Sequence, residues 1–496
     1  MNRNTLLFLL CILTGTILFS SCKKDTSEKL SEIDYEINRF IWSGLNYYYL
    51  WLDNVPELQE KSYSGQFALD YFLNSKADHE DFFHSLLYKP GKVDNWSWIV
   101  DDYVSLENQF KGIYKTNGMD FRLGLYTDNS HVFGFVRYVM KDSPADKAGI
   151  KRGDFFTSIN NTKLTIDNYQ SLLFDNQTYT VNVDTLVNKT LISTGRNVPL
   201  TAIEFQDNPI YLDTVYTIND KKIGYLVYNT FIANYSLALN DVFQKFKIKG
   251  INELILDLRY NPGGDENNMI DLASMIYTTD KSKVFMQTVY NNNVQNQLAQ
   301  RFGTDYFKRY FSDKVEYTSA NNQTSNYPIN SLNLSKLHVI TSDNTASAGE
   351  VLMCGLKPYM QVVILGDTTE GKYVGSVTVK DYIDNDGNVN PNHSWAMQPI
   401  IVKVANKDGI TDYIGGYIPN ILLQEDITNL GKLGDINEPL LKRMLNYING
   451  ISPTASSLKS KAIKYSTVAD SKDAYRFRGG LNMDKRYTPY KLFQQN

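Results

Sequence analysis

Aromatic and aliphatic residues recur at helical spacing through EINRFIWSGLNYYYLWL and DYFLNSKADHEDFFHSLL, which predicts a mostly helical N-terminal region over 31–110 with its stripes facing a core. From 111 to 206 the period changes. Short alternating runs broken by turn residues, NGMDFRLGLY, VFGFVRYVM and TYTVNVDTLVNKTLISTGRNVPLTAIEF, predict a β-rich domain. A third pattern fills 207–450. KIGYLVYNTF reads as a strand, SLALNDVFQKFKIKG as an amphipathic helix, and INELILDLRYNPGG as a strand ending in a tight turn. That β-α-β order predicts an α/β core, a parallel sheet with helices packed on it.

The same alternation returns at 336–376. KLHVI is a buried strand, Val351, Leu352 and Leu356 mark one side of a helix, and Val362 to Leu365 form a second strand leading to a glycine-punctuated loop. Ser347 falls at the first strand-to-helix junction and Lys372 in the later loop, 25 residues on. A strand, a helix and a parallel return strand bring both loops to one sheet edge. There a hydroxyl projects from a turn, the first helical N–H groups can hold an oxyanion, and an amine in an apolar pocket can serve as base. Taken alone, Ser347-Ala-Gly-Glu350 also fits the S-x-x-E capping box, and Lys372 also fits an exposed loop lysine.

Length and composition narrow the choices. With 496 residues, 42% apolar and 21% charged, the chain is too long for one ordinary core and too hydrophobic for disorder. A net charge of −4 provides no basic face for nucleic acid. The 35 Tyr and 24 Phe read as core and sheet surface. No cofactor is expected and no metal: His79 and His84 miss the i, i+4 spacing of a helical pair, and DNDGNVNPN at 384–392 would place Trp395 where a calcium loop needs glutamate, so it reads as a hairpin turn. The start, MNRNTLLFLLCILTGTILFSSC, has a basic residue, an apolar run and small residues before Cys22, the pattern of an export signal over 1–22, followed by a polar tether over 23–30. Cys354, in VLMCGL, reads as a packing residue.

Three motifs then carry a family resemblance. TASAGE, GDTTEGK and DLRYNPGG resemble, in order and spacing, the S-A-S-x-E, G-x-x-T-x-G-K and D-L-R-x-N-P-G-G motifs of the carboxyl-terminal processing, or tail-specific, serine peptidases. The resemblance implies Ser347 as nucleophile, Lys372 as general base, and N–H groups of Gly263, Gly264 and Ala348 as oxyanion hole. Many relatives carry a glutamine four residues after the lysine; here Ser376 stands in that orienting position. SPADKAGIKRGD resembles a PDZ domain, which makes 111–206 PDZ-like and aligns Gly118, Met119, Asp120 and Phe121 with a loop that holds a peptide carboxylate, although Asp120 sets a like charge beside it. The segment GGYIPN with LGDINEPLL resembles the family's closing strand and helix, with Asn420 in place of an aspartate.

Cys22 after small residues resembles a lipobox, implying lipidation at that thiol and a bacterial cell-envelope lipoprotein. The expected partners are protein or peptide C-termini and, through the lipid, a membrane. The expected activity is cleavage of substrates with apolar C-terminal tails. Two other readings stand beside it: a catalytically degenerate peptide-binding lipoprotein, and a Ser-His hydrolase using His338 or His131. Residues 285–330, polar and aromatic, read either as an excursion over the active-site edge or as a solvated connection, and the 451–496 tail as either free or docked on the core. Asp257 and Arg259 read equally as catalytic charges or as a local salt bridge.

Overall fold

Ser31 accepts the Asp34 N–H at 3.2 Å and opens helix α1 (Glu32–Tyr48), whose Ile37, Ile41, Leu45 and Tyr48 are buried on one face. Short helices at Gln66–Leu73 and His79–Ser85 pack into the same apolar cluster, as the helical spacing predicts. The computed structural model describes residues 30–452 except 320, 322 and 385, together with 465–475 and 481–482. The export signal, the tether and Cys22 lie outside the described residues.

Strands β1 (Met119–Leu125) and β2 (Val132–Val139) open the β-rich domain and pair antiparallel, Leu123 opposite Gly134. Strands Phe155–Ile159, Thr178–Val187 and Thr190–Thr201 continue that sheet, and Met119, Phe121, Leu123, Val136, Phe156 and Val181 fill its core.

The core sheet runs β3 (Ile210–Ile218), β4 (Lys221–Tyr228) and, after helix α2 (Ser236–Lys249), β5 (Glu253–Asp257). A turn then leads into the two-residue strand β6 (Gly264–Asp265), helix α3 (Glu266–Ile276) and β7 (Val284–Tyr290). Next come β8 (Lys336–Thr341), helix α4 (Ala348–Leu356), β9 (Gln361–Gly366), β10 (Val374–Ser376), β11 (Ile400–Asn406), β12 (Ile421–Leu422) and helix α5 (Pro439–Ile448). In the first sheet the order is β3-β4-β5-β8-β9-β12, with only β3 antiparallel to its neighbour.

Period-two alternation decides which face each side chain takes. Ile223, Tyr225 and Val227 of β4 pack with Leu441 and Met444 of α5, while Leu226 and Tyr228 turn to the cluster containing α2, α3, α4 and the N-terminal helices. All three β-α-β loops therefore emerge at the same end of the parallel strands.

The segment 285–330 supplies β7 and Lys308–Tyr310 to a second sheet, and its hairpin Lys314–Thr318/Thr324–Pro328 packs along α2. At 384–392 the Asp384 carboxylate accepts the Asp386 and Asn388 N–H groups beneath a Tyr382–Val389 bridge, a hairpin turn.

The C-terminal segment docks. Strand β13 (Ser466–Asp470) pairs antiparallel with β1, and β14 (Leu481–Asn482) lies parallel between β6 and β10 in the second sheet, whose order is β6-β14-β10-β11-β7 and then Lys308–Tyr310.

Candidate active site

Three loops meet beyond β5, β8 and β9, and hydrogen bonds stitch them together. Ala346 N–H donates to Asn261 O at 3.0 Å, Thr345 Oγ1 donates to Leu258 O at 2.7 Å, and Glu370 N–H donates to Thr345 O at 3.0 Å. At this junction Ser347 takes φ 51° and ψ −114°. Such a positive φ is strained for a residue with a side chain, and it makes the sharp strand-to-helix elbow that a nucleophile uses.

Glu350, one turn into α4, holds the elbow. Its buried carboxylate accepts four bonds: Thr369 Oγ1 and Gly371 N–H reach Oε1 at 2.5 and 2.6 Å, and Ser347 N–H and Lys372 N–H each reach Oε2 at 2.8 Å. The two backbone nitrogens thus share one oxygen and stand no more than twice that distance apart. Burial pushes the Glu350 carboxyl up to about 7, while the four donors pull against that rise. The S-x-x-E pattern is present as a link from Glu350 back to the Ser347 N–H, but the carboxylate also reaches across to the lysine loop.

Lys372 is buried, with Nζ 5.9 Å from the centroid of the Trp96 ring, and Trp96 donates its indole N–H to Glu370 at 3.0 Å. Trp96 comes from the helical region and was not legible as a site residue. Ser376 lies buried on β10, opposite Ile400.

Gly263, at φ 110°, sits against the elbow: a Cβ there would lie 2.9 Å from Ser347 Cβ and 3.1 Å from Ala348 N. Its own N–H, however, donates to Asn261 Oδ1 at 2.8 Å. Of the three expected oxyanion donors, the Gly263 N–H is therefore engaged with Asn261. Ala348 begins α4, where an N–H has no partner within the helix. Gly263 O and Asp265 N–H both bond Phe231, so the Gly264 N–H between them faces the opposite side. Beside it lies a cavity of about 340 Å³ lined by Phe110, Phe231, Ile232, Pro262 and Gly264.

The loop expected to hold a peptide carboxylate is arranged otherwise. Gly118 N–H donates to Thr116 Oγ1 at 2.9 Å, Met119 N–H to Asn117 Oδ1 at 3.0 Å and Phe121 N–H to Ser471 Oγ at 3.1 Å. The Asp120 carboxylate is buried against Arg137.

Neither histidine joins the serine. His338 lies within β8, bonded through Nε2 to Glu253 at 2.9 Å and packed by Tyr447, and burial lowers its pKa despite Glu253. His131 is exposed and bonds Asp128 in the PDZ-like domain. Asp257 and Arg259 form a buried salt bridge at 2.7 Å, extended to Glu438 and Glu425 at 2.9 Å each, so their placement fits the structural reading. Cys354 is buried, and burial raises its thiol to about 11.

Residues 222–409 match Peptidase family S41. Residues 36–98 match the Peptidase S41 N-terminal domain and 135–178 a PDZ domain, so the three matched stretches follow the order of helical N-terminal region, PDZ-like domain and α/β core expected from sequence. The S41 protease structure from Bacteroides fragilis superposes with TM-score 0.61 at 25% identity, covering 84% of this chain and 98% of that one. The carboxy-terminal processing proteases CtpA and CtpB of Bacillus subtilis are 27% and 25% identical over 250 and 354 residues, 49% and 69% of this chain. The matched stretches span 45% and 61% of those two relatives' own length.

Proposed function

We propose that the protein is a serine endopeptidase in which Ser347 is the nucleophile and Lys372 the general base. The observation that carries this reading is the Glu350 carboxylate, which gathers the backbones of both residues under a strained elbow. Neutral Lys372 takes the Ser347 hydroxyl proton as Oγ bonds the scissile carbonyl carbon. The tetrahedral oxyanion is held by the N–H groups of Gly264 and Ala348. Collapse breaks the C–N bond, and the lysine passes its proton to the leaving amine. Water then adds to the acyl-enzyme, giving a proton to Lys372; the ester bond breaks, and that proton returns to Ser347. Ser376, buried on β10, is taken as a candidate to orient the amine through its hydroxyl, although its side chain is shorter than the glutamine of many relatives. The cavity lined by Phe110, Phe231 and Ile232 supports a preference for apolar side chains in the substrate, and likeness to carboxy-terminal processing proteases supports substrates taken by their C-terminal tails.

Ser347→Ala and Lys372→Ala are each expected to abolish cleavage of an unfolded protein with an apolar C-terminus while leaving the melting temperature within a few degrees. Full activity in either variant overturns the assignment, and failure of a serine-directed phosphonate probe to label the purified protein favours a binding role. We propose further that Cys22 carries lipid and tethers the enzyme to the bacterial cell envelope; labelling by a radiolabelled fatty acid that persists in Cys22→Ser refutes this.

A further inference from the structure

The chain's C-terminal segment follows the route a bound peptide would take. PDZ domains take an extended peptide antiparallel to one exposed strand edge, with the peptide's end directed at the loop preceding that strand. β13 pairs with β1 in that sense: Ser466 opposes Leu125, Thr467 opposes Gly124, Ala469 opposes Leu123 and Asp470 opposes Arg122. Its course runs toward the 118–121 loop, where Ser471 Oγ accepts the Phe121 N–H and donates to Asp120 at 3.2 Å. Ser471 also lines the groove between β1 and the helical turn at Leu173 and Phe174.

From there the segment enters the catalytic region. Lys472 Nζ donates to Tyr260 O at 2.8 Å, two residues before Pro262. β14 then lies between β6 and β10, the strands that follow the glycine turn and the lysine loop, with Leu481 beside both Gly264 and Gly375. The Gly264 N–H, proposed above as an oxyanion donor, faces that side.

We infer that residues 465–475, on the PDZ edge, and 481–482, in the slot between β6 and β10, act as an intramolecular ligand, so that an extended polypeptide substrate enters only by displacing them. This rests on the peptidase reading for the meaning of the slot, though not for the occupancy of the PDZ edge. The attachment has few fully buried side chains. Ser466 and Thr467 are exposed, Ala469 is buried, and Tyr465 and Val468 are half-buried, Tyr465 against Phe133 and Phe135. Asp470 supplies most of the specificity through ion pairs with Arg122 and Arg137, and those arginines also hold Asp343 and Asn344, a few residues before Ser347. A tethered ligand acts at an effective concentration in the millimolar range, so even a weak one keeps a groove filled.

The test uses Ser347→Ala protein, so binding is read without cleavage. A fluorescein-labelled synthetic peptide of residues 465–482 is titrated into the full chain and into a chain ending at 464. Expected is micromolar binding to the shortened chain and binding at least tenfold weaker to the full chain; a folded shortened chain that does not bind overturns the inference. Should the shortened chain not fold, full-length Ser347→Ala carrying Asp470→Ala and Ser471→Ala is compared with its parent by amide exchange over Met119–Leu125 and by peptide binding. Faster exchange with gained binding supports displacement, whereas unchanged exchange without binding refutes it. Peptide binding in a protein that cleaves nothing with its serine restored would leave the tail assignment standing and remove the peptidase reading.

Discussion

Replacing Glu350 with glutamine tests the central geometry with almost no change in shape. The carboxylate accepts four donors, two on each oxygen. An amide keeps one accepting oxygen and turns an NH₂ toward the other two donors. Each buried donor left unsatisfied costs about 1–3 kcal/mol, so the loss is about 2–6 kcal/mol. An opposing effect comes from burial. Raising the carboxyl from 4.5 to about 7 means that holding it ionised at pH 8 costs about 3 kcal/mol, which glutamine removes. Net stability should therefore fall by no more than about 3 kcal/mol, while the backbones of Ser347 and Lys372 lose their shared anchor. A shift of about 1 Å at a reacting centre costs roughly 100-fold in rate. Expected, then, is a kcat/KM at least 100-fold lower in a protein that still melts cooperatively.

The sign of the pH effect follows from the same group. A carboxyl raised by folding adds stability that is fully present below 4.5 and lost as pH rises through about 7, so the wild type should melt higher at pH 5.5 than at pH 8 from this group alone. Activity should run the other way, falling as protonation breaks the four-donor arrangement below about 7. Glu350→Gln should flatten the stability difference, measured by thermal melts across pH. A glutamine variant with wild-type kcat/KM and an unchanged acid limb would refute the anchoring role.

Gly263→Ala should lower kcat by more than 100-fold, read in steady-state kinetics, because the added methyl meets Ser347 Cβ at 2.9 Å in a backbone conformation that disfavours side chains. Arg259→Ala, which leaves Asp257, Glu425 and Glu438 without their shared cation, should cost about 3–5 kcal/mol in urea unfolding. His338→Gln should leave the pH dependence of cleavage unchanged, since that ring is bonded to Glu253 within the sheet; loss of a limb near 6.5 would restore a histidine base to contention.

Much of the frame was legible along the chain because burial leaves a period. The β-α-β units, the helical stripes and the meeting of the 347 and 372 loops follow from alternation and spacing alone. What escaped were contacts made by residues with ordinary local roles. Glu350 looked like half of a capping box, and nothing in S-x-x-E tells that its carboxylate also reaches Gly371 and Lys372. Trp96 belongs to an aromatic-rich stretch and gives no sign that it borders a lysine far along the chain. STVAD is too short and polar to announce a strand, since most of its partners are backbone groups and arginines of another domain. At 118–121 the PDZ resemblance implied a loop that holds a peptide carboxylate, yet the Thr116 and Asn117 side chains have claimed two of its N–H groups.

Glu425 has a mechanical consequence. One oxygen serves Arg152 of the PDZ domain and Arg259 of the core, the other accepts the Tyr260 hydroxyl at 2.6 Å, and the two cations hold this half-buried acid down at about 2. Swinging the PDZ domain outward would strand a guanidinium from its counter-ion in an interior where water offers little compensation. The two bodies are bolted rather than hinged at this point, and calorimetry should record them melting in one transition.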